Sequence, residues 1–323
     1  IKSSAASDVY KRQDDQFHKT LLALPIGGIV MFTVLPIIFM ILVAFTNYDS
    51  YYNGYSNLFT WVGLDNFNAL FEFGEGSSKL SVAFGEILSW TLIWAFFATF
   101  TNYFLGMFVA IMINKKGIKI KKFWRTVLVV TIAVPQFISL LYISNMLAPN
   151  GIVNGILMNL GWIDKAIPFW TDGTLAKVMI IIINIWIGIP YLMLIATGIL
   201  MNIPQDLYES ARIDGANVWQ QYTRITLPYM LFVTGPYLLT SFINNINNFN
   251  VIYFLTGGTP ATLDYYQAGK TDLLVTWLYK LTVNSRDYSY AATIGILVFI
   301  ICSLLSLITF RRSASYKNEE AFQ

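Results

Sequence analysis

Long apolar runs separated by short polar segments dominate the chain. Six runs, about 20–46, 85–113, 125–147, 177–201, 228–255 and 289–310, are long enough to cross a hydrocarbon core, which takes about 20 apolar residues as a helix. Pro36, Pro135, Gly188 with Pro190, and Gly235 with Pro236 interrupt them. Such residues are tolerated in spans where neighbouring helices or water satisfy the freed carbonyls. The pattern predicts an all-α membrane protein with six transmembrane helices.

Between the runs, 47–84 and 148–176 are rich in Tyr, Trp, Asn and Gly and read as interfacial caps on the outer face. Segment 256–288 opens with the turn signal TGGTP. It continues into TDLLVTWLYKL, which is too short to span. No internal repeat or low-complexity linker divides the chain. The expected organisation is a tail at 1–19, one permease domain at 20–310 carrying an inner loop at 202–228, and a tail at 311–323. The opening IKSSAASDVYKRQ, residues 1–13, fits no later pattern and is set aside as an assembly scar.

Composition narrows the class. Of 323 residues 56% are hydrophobic and only 12% charged, about half the charged fraction of a soluble domain. The 24 Phe, 19 Tyr and 9 Trp suit lipid contact and interfacial belts. The net charge of +3 points to no nucleic acid, because the basic residues are placed by topology. Fifteen of the 21 Lys and Arg fall in the N-terminus, the 114–125 loop (NKKGIKIKKFWR), the 202–227 loop and the tail after Phe310. The positive-inside rule then puts both termini in the cytoplasm. Cys302 is the single cysteine, so no disulfide framework exists within the chain, and His18 alone builds no metal site.

No Asp, Glu, Lys, Arg or His lies in the interior of any run; Glu86 sits at an outer edge. Proton-coupled carriers hold ionisable groups at membrane depth, so this argues against proton coupling and against a charged cargo. A sodium site built from carbonyls and hydroxyls would escape that test. No G-x-x-x-x-G-K-[ST] sequence occurs, and AGKT at 268–271 lacks the first glycine. The chain therefore hydrolyses no ATP itself and uses no cofactor of its own.

The stretch SFINNINNFN, 241–250, places five carboxamides in an otherwise apolar run. On a helix Ser241, Asn244, Asn245 and Asn248 share one stripe at i, i+3, i+4 and i+7, whereas Asn247 and Asn250 point elsewhere. A bare amide in hydrocarbon costs about 4–8 kcal/mol by alkane transfer. The stripe reads as the wall of a wetted cavity, and Asn247 and Asn250 as interhelical hydrogen-bonding groups. Carboxamides donate and accept, which matches sugar hydroxyls.

In the inner loop, NIPQDLYESARIDGANVWQQYTRITLP, Pro204 suits a first helical turn and Asp206 and Glu209 favour the helix dipole. Gly215 allows a sharp turn into a second helix that runs to Pro228. Ala211 and Ala216 leave room near the apex for a partner. A solvated hairpin that merely links two spans fits this pattern equally well. The segment ESARIDGANVWQQYTRITLP, however, resembles the EAA loop of ABC-importer permeases, E-A-A-x-x-x-G, nine residues, I-x-L-P. Glu209, Ala211, Gly215, Ile225, Leu227 and Pro228 are in register, and Ser210 replaces the first alanine. FTNYD (45–49), WVGLDNF (61–67), AVPQFIS (133–139), NIWIGIPY (184–191), NNFNVIYFLTGGTP (247–260) and TDLLVTWLYKLT (271–282) are similar to the maltose/maltodextrin-type permease. Some members carry additional N-terminal helices that this sequence does not include.

The resemblance implies the ABC type I importer permease fold in a bacterial inner membrane. It implies a second permease subunit, an ABC ATPase dimer that uses ATP and Mg, and an extracellular or periplasmic sugar-binding protein. Glu209, Ser210, Ala211, Asp214, Gly215 and Ala216 become ATPase-coupling candidates. Ser241, Asn244, Asn245, Asn248, Asn184, Ile187, Gly188, Gln136 and Ile132 become substrate-binding candidates. Here the chain departs from the maltose pattern: Ile132 stands for a tyrosine, Gln136 for a serine and Asn244 for a phenylalanine. Losing two aromatic faces removes stacking surface for a pyranose, which leaves a maltodextrin-like or galacto-oligosaccharide cargo. Trp186 and Tyr191 read by their helical spacing as packing residues. The rival readings are a secondary carrier or channel for neutral solutes, which explains the asparagines but not the 202–228 loop, and a membrane enzyme, for which no nucleophile–base pair is present.

Overall fold

The computed structural model describes Phe17 and residues 19–48, 60–74, 77–115 and 117–312. The proposed scar at 1–13 and the tail beyond Arg312 lie outside these residues. Five helices are long and apolar enough to span: α1 (Lys19–Val43), α3 (Lys79–Asn114), α7 (Gly173–Leu200), α9 (Val218–Ile246) and the span Tyr288–Ile308 within α12 (Tyr288–Arg312). The remaining helices are α2 (Asp65–Leu70), α4 (Lys121–Ala133), α5 (Gln136–Met146), α6 (Ile152–Asn159), α8 (Gln205–Ile213), α10 (Phe249–Leu255) and α11 (Leu274–Tyr279).

The expected run 125–147 is not one straight helix. α4 and α5 meet at 90°, and counted as one bent pair they bring the candidate spans to six. Val134 and Pro135 at the corner are both extended, with ψ of 126°. Proline excludes its predecessor from the helical region and removes an N–H from the ladder. Run 228–255 is also divided, because α9 ends at Ile246 and α10 starts after Asn248. At its other end α9 begins ten residues earlier than the run. It passes through Pro228 without stopping, because a π-helical turn at Tyr222–Thr226 absorbs the misfit.

Side-chain pairs fix the directions of the spans. A Cβ on Gly106 would meet Leu192 and one on Gly188 would meet Asn102, while Asn114 Nδ2 reaches Thr197 Oγ1 at 3.2 Å. α3 and α7 are therefore parallel and in close backbone contact. α9 runs against α3, since Trp94 Nε1 donates to the Asn245 carbonyl (3.1 Å) and Tyr103 shares a hydrogen bond with Thr234 (2.8 Å). The end of α1 meets the start of α12 through Ser289 N–H to the Tyr48 carbonyl, 3.3 Å. Successive candidate spans therefore alternate in direction, with α3 and α7 parallel and α9 running against them.

The opposite face holds the larger core. Leu70, Phe84, Trp277, Leu281 and Ile294 form one buried cluster; Trp94, Ile180, Val251 and Ile252 form another. Trp90, Trp170 and Trp277 each donate an indole N–H to a main-chain carbonyl at 2.8–3.2 Å. Buried indoles need such partners, and here they stitch loops to spans. α1 and the α4–α5 elbow are the exceptions: Val43 and Leu140 are the buried residues among Leu35–Val43 and α4–α5.

Candidate functional site

Four of the nine proposed substrate residues share one cavity. Ser241, Asn244, Asn245 and Asn248 line a space of about 270 Å³ with Tyr191, Tyr237 and Thr240. The stripe does not arise as expected, because Asn248 is not on the same helix. Asn247 closes α9, and Asn248 caps α10 by accepting the Val251 N–H at 3.2 Å. Asparagine competes with the backbone for hydrogen bonds, and the helix breaks where the Asn248 side chain, not a main-chain carbonyl, takes the Val251 N–H.

The carboxamides divide in their uses. Asn245 Nδ2 donates to Thr99 Oγ1 (3.0 Å), and its Oδ1 accepts from Asn248 Nδ2 (3.3 Å), which ties α9 to the π-helical turn Phe97–Thr101 of α3. Asn247 Nδ2 reaches Cys302 Sγ on α12 at 3.5 Å, the interhelical contact expected of it. Asn250 is exposed, and among the described residues it makes no interhelical hydrogen bond. Among the described residues Asn244 is exposed and makes no side-chain hydrogen bond, and Ser241 lines the same space as Tyr237. The wall is thus neutral, with hydroxyls, amides and two phenol rings but no ionised group.

The other five residues are placed elsewhere. Asn184 is buried, and Ile187 packs on the cluster around Trp94 and Ile180. Gly188 lies against the Asn102 amide, where any side chain would collide at 2.3 Å. Ile132 and Gln136 flank the 90° corner and are exposed. Conversely, Tyr191 is on the cavity wall, not in packing. Tyr237 and Thr240 were missed, although they lie one turn back on the same helix, four residues before Ser241 and Asn244 respectively.

The hairpin is closed by its own backbone. Helix α8 starts after Pro204, which occupies the N-cap rather than the first turn, and Arg212 lies in its last turn. Gly215 N–H donates to the Arg212 carbonyl (3.1 Å) and Ala216 N–H to the Ala211 carbonyl (2.8 Å), the two bonds of a Schellman motif. Gly215 sits at φ +80°. Asn217 and Gln220 then cap α9 reciprocally at 2.8 and 2.9 Å. Tyr208 shares a 2.8 Å hydrogen bond with Thr226, which fixes α8 to the foot of α9. Glu209, Ser210 and Asp214 remain exposed, as do Ile213 (86%), Val218 (82%) and Trp219 (70%). Gly215→Ala should cost about 1–2 kcal/mol, the left-handed penalty for a residue with a Cβ. Nothing lies within 4 Å of the added methyl, so faster proteolysis at 213–217 with the spans unchanged would report it.

Long apolar helices, a neutral cavity at a broken span and a capped hairpin on one face together have the form of a membrane permease. The chain belongs to the family of binding-protein-dependent transport system inner membrane components, whose pattern matches residues 102–314. It is 36% identical over 318 residues to the galactooligosaccharides transport system permease protein GanP of Bacillus subtilis (strain 168), covering 98% of this chain and 75% of that one. It is 38% identical over 309 residues to the maltodextrin transport system permease protein MalC of Streptococcus pneumoniae serotype 4, covering 93% and 70%. The crystal structure of a bacterial alginate ABC transporter, in complex with an alginate pentasaccharide-bound periplasmic protein, contains a chain that superposes with a TM-score of 0.73. That match covers 95% of this chain and 97% of that one, at 22% identity, and shows the shared fold.

Proposed function

We propose that this chain is one permease subunit of an ATP-driven importer of neutral oligosaccharides, with maltodextrins or galacto-oligosaccharides as cargo. The observation that carries this reading is the cavity at Tyr191, Tyr237 and Ser241–Asn248. It offers hydroxyl and amide groups beside aromatic faces and nothing to balance an ionic cargo. At about 270 Å³ it is slightly smaller than a typical small-molecule pocket of about 300–1,000 Å³. A second permease subunit would supply the opposite wall and cover the exposed α4–α5 elbow, which brings Ile132 and Gln136 to the shared pathway. Asn184, Ile187 and Gly188 would act from behind, by setting how closely α3 and α7 approach. The face with α8 is the cytoplasmic one in this reading. There Glu209, Ser210, Ala211, Asp214, Gly215 and Ala216 would meet an ATPase dimer that binds ATP and Mg, while a sugar-binding protein delivers cargo opposite. The names of the relatives support the cargo class and the assembly.

Uptake by proteoliposomes holding the full complex tests the proposal. ATP-dependent accumulation of malto- or galacto-oligosaccharide is the expected result; accumulation by the isolated chain without ATP would return it to the carrier class. Within the cavity, Asn244→Ala removes an uncommitted amide and should weaken cargo binding by up to about tenfold, the value of one hydrogen bond, with thermal stability unchanged. Asn245→Ala cuts the tie to Thr99 and should lower the melting temperature as well. Equal effects of the two on stability would contradict the division of roles.

A further inference from the structure

The turn joining α3 to α4 plays no part in the cavity or the hairpin. Asn114–Arg125 (NKKGIKIKKFWR) contains Lys115, Lys116, Lys119, Lys121, Lys122 and Arg125 and no carboxylate. Among the described residues, none of these cations is in an ion pair. Two of them are pinned to the end of α3: Lys121 Nζ donates to the Asn114 carbonyl at 3.1 Å, and Arg125 Nη2 donates to Asn114 Oδ1. Among the described residues Arg125 Nε finds no acceptor. Lys119 and Lys122 are exposed.

The beginning of α4 runs against the usual arrangement. Its N-cap, Ile120, is left-handed at φ +61° and provides no side-chain hydrogen bond, and no acidic residue occupies the first turn. The free N–H groups and positive dipole end of this 13-residue helix therefore begin within a run of basic residues. Each of these features favours a bound anion. Beside them Phe123 and Trp124, 54% and 52% exposed, form an edge-to-face pair at 5.5 Å. Aromatic rings at a span end sit at headgroup depth, so the anion is met where lipid phosphates lie.

We propose that the α3–α4 turn binds the phosphodiester headgroup of an anionic phospholipid, with Lys119, Lys122 and the N–H groups of α4 facing the phosphate and Phe123 and Trp124 lying along the acyl boundary. A free phosphate would satisfy the charges but not the two rings, which is why the lipid is the ligand chosen. Basic residues next to a membrane attract anionic lipid at about fivefold in affinity per charge. Asn114 also bonds Thr197, three residues before the end of α7, so the site lies on the face that carries α8. The proposal does not depend on the cargo or on the partners.

The test uses the full-length chain, stripped of lipid in detergent and titrated with dioleoyl phosphatidylglycerol, dioleoyl phosphatidylcholine or sodium phosphate, with bound lipid counted by native mass spectrometry. Phosphatidylglycerol should be retained in preference to phosphatidylcholine and resist millimolar phosphate. The double variant K119Q/K122Q, which removes no hydrogen bond of the fold, should weaken phosphatidylglycerol by about 25-fold, at fivefold per charge, and leave phosphatidylcholine unchanged. R311Q, at the end of α12, should retain the lipid as the unaltered chain does. Equal retention of the two lipids, no response to K119Q/K122Q, or the same loss in R311Q would overturn the site. Displacement by phosphate would reassign it to a soluble anion.

Discussion

Glu209→Lys should abolish ATP-driven uptake while the protein still inserts and folds. Glu209 is exposed on α8, and its carboxylate accepts one hydrogen bond, from Gln205 Nε2 at 3.1 Å. Nothing that shapes the hairpin depends on it: the turn is closed by Gly215 and Ala216, the next helix is capped by Asn217 and Gln220, and Tyr208 holds the base. Reversing its charge therefore alters what the hairpin presents, not how it is built. If the loop docks on an ATPase subunit through a charged contact, truncating or reversing one partner costs about 2–5 kcal/mol, roughly 30-fold or more in the coupled rate. Uptake per inserted molecule and ATPase stimulation by sugar would measure it. Undiminished uptake with normal insertion would remove α8 from the coupling pathway.

A loss of comparable size is expected from Lys280→Met, in the cap on the opposite face. Asp272 is fully buried and Lys280 is 21% exposed, and they meet at 2.6 Å. The same carboxylate accepts from the Gly269 N–H (2.7 Å) and from Thr276 Oγ1 (2.9 Å). Around it, Trp90 and Trp277 are bonded to the carbonyls of Thr271 and Tyr266, so the pair organises the segment from 256 to 285. Burial pushes the Asp272 carboxyl above its ordinary range, and the Lys280 ammonium with these donors pulls it back. Removing Lys280 strands the carboxylate, at about 3–5 kcal/mol. The pH dependence has a definite sign. A carboxyl raised in the folded state takes up protons more readily there than in the unfolded chain. Its penalty is absent below the ordinary value of 3.8 and grows as pH rises through the folded-state value. Thermal unfolding followed by tryptophan fluorescence should find K280M far below the parent chain at pH 8, with the gap narrowing toward pH 4. A gap that is constant with pH would mean that lost packing, not a stranded charge, is responsible.

Much of this architecture is legible in the amino-acid order because it follows from local rules. Six apolar runs correspond to five candidate spans and one bent pair, and the hairpin declares itself through Pro204, Asp206 and Gly215, whose conformational preferences hold whatever surrounds them. Pro135 announces a disturbance in the third run, yet not its 90° size, which depends on what α4 and α5 each pack against, α5 resting on α10 through Phe137 against Phe254 and Ser144 against the Leu255 carbonyl. Pro228 gives the opposite lesson. It reads as a boundary, but a π-helical turn carries α9 straight through it, since an extra residue per turn resolves the clash that would otherwise stop the helix.

The substrate-site candidates separate in the same way. The asparagine stripe, read as continuous helix, names four residues that line one space even though the helix stops at Ile246, because Asn248 caps α10 facing the same space. Tyr191 could not be recovered from its own helix, where its spacing is that of a packing residue. Its place on the wall depends on how α7 lies beside α9. What the order of residues settled unaided was the solvent each segment requires and the absence of charge along the spans, both properties of single side chains and their period. Which amides are spent and which remain free was decided only by tertiary contact: Asn245 is held by Thr99 and Asn247 by Cys302, while Asn244 meets neither. A carboxamide has few donors, and whether a distant helix has already taken them is not written in its neighbours.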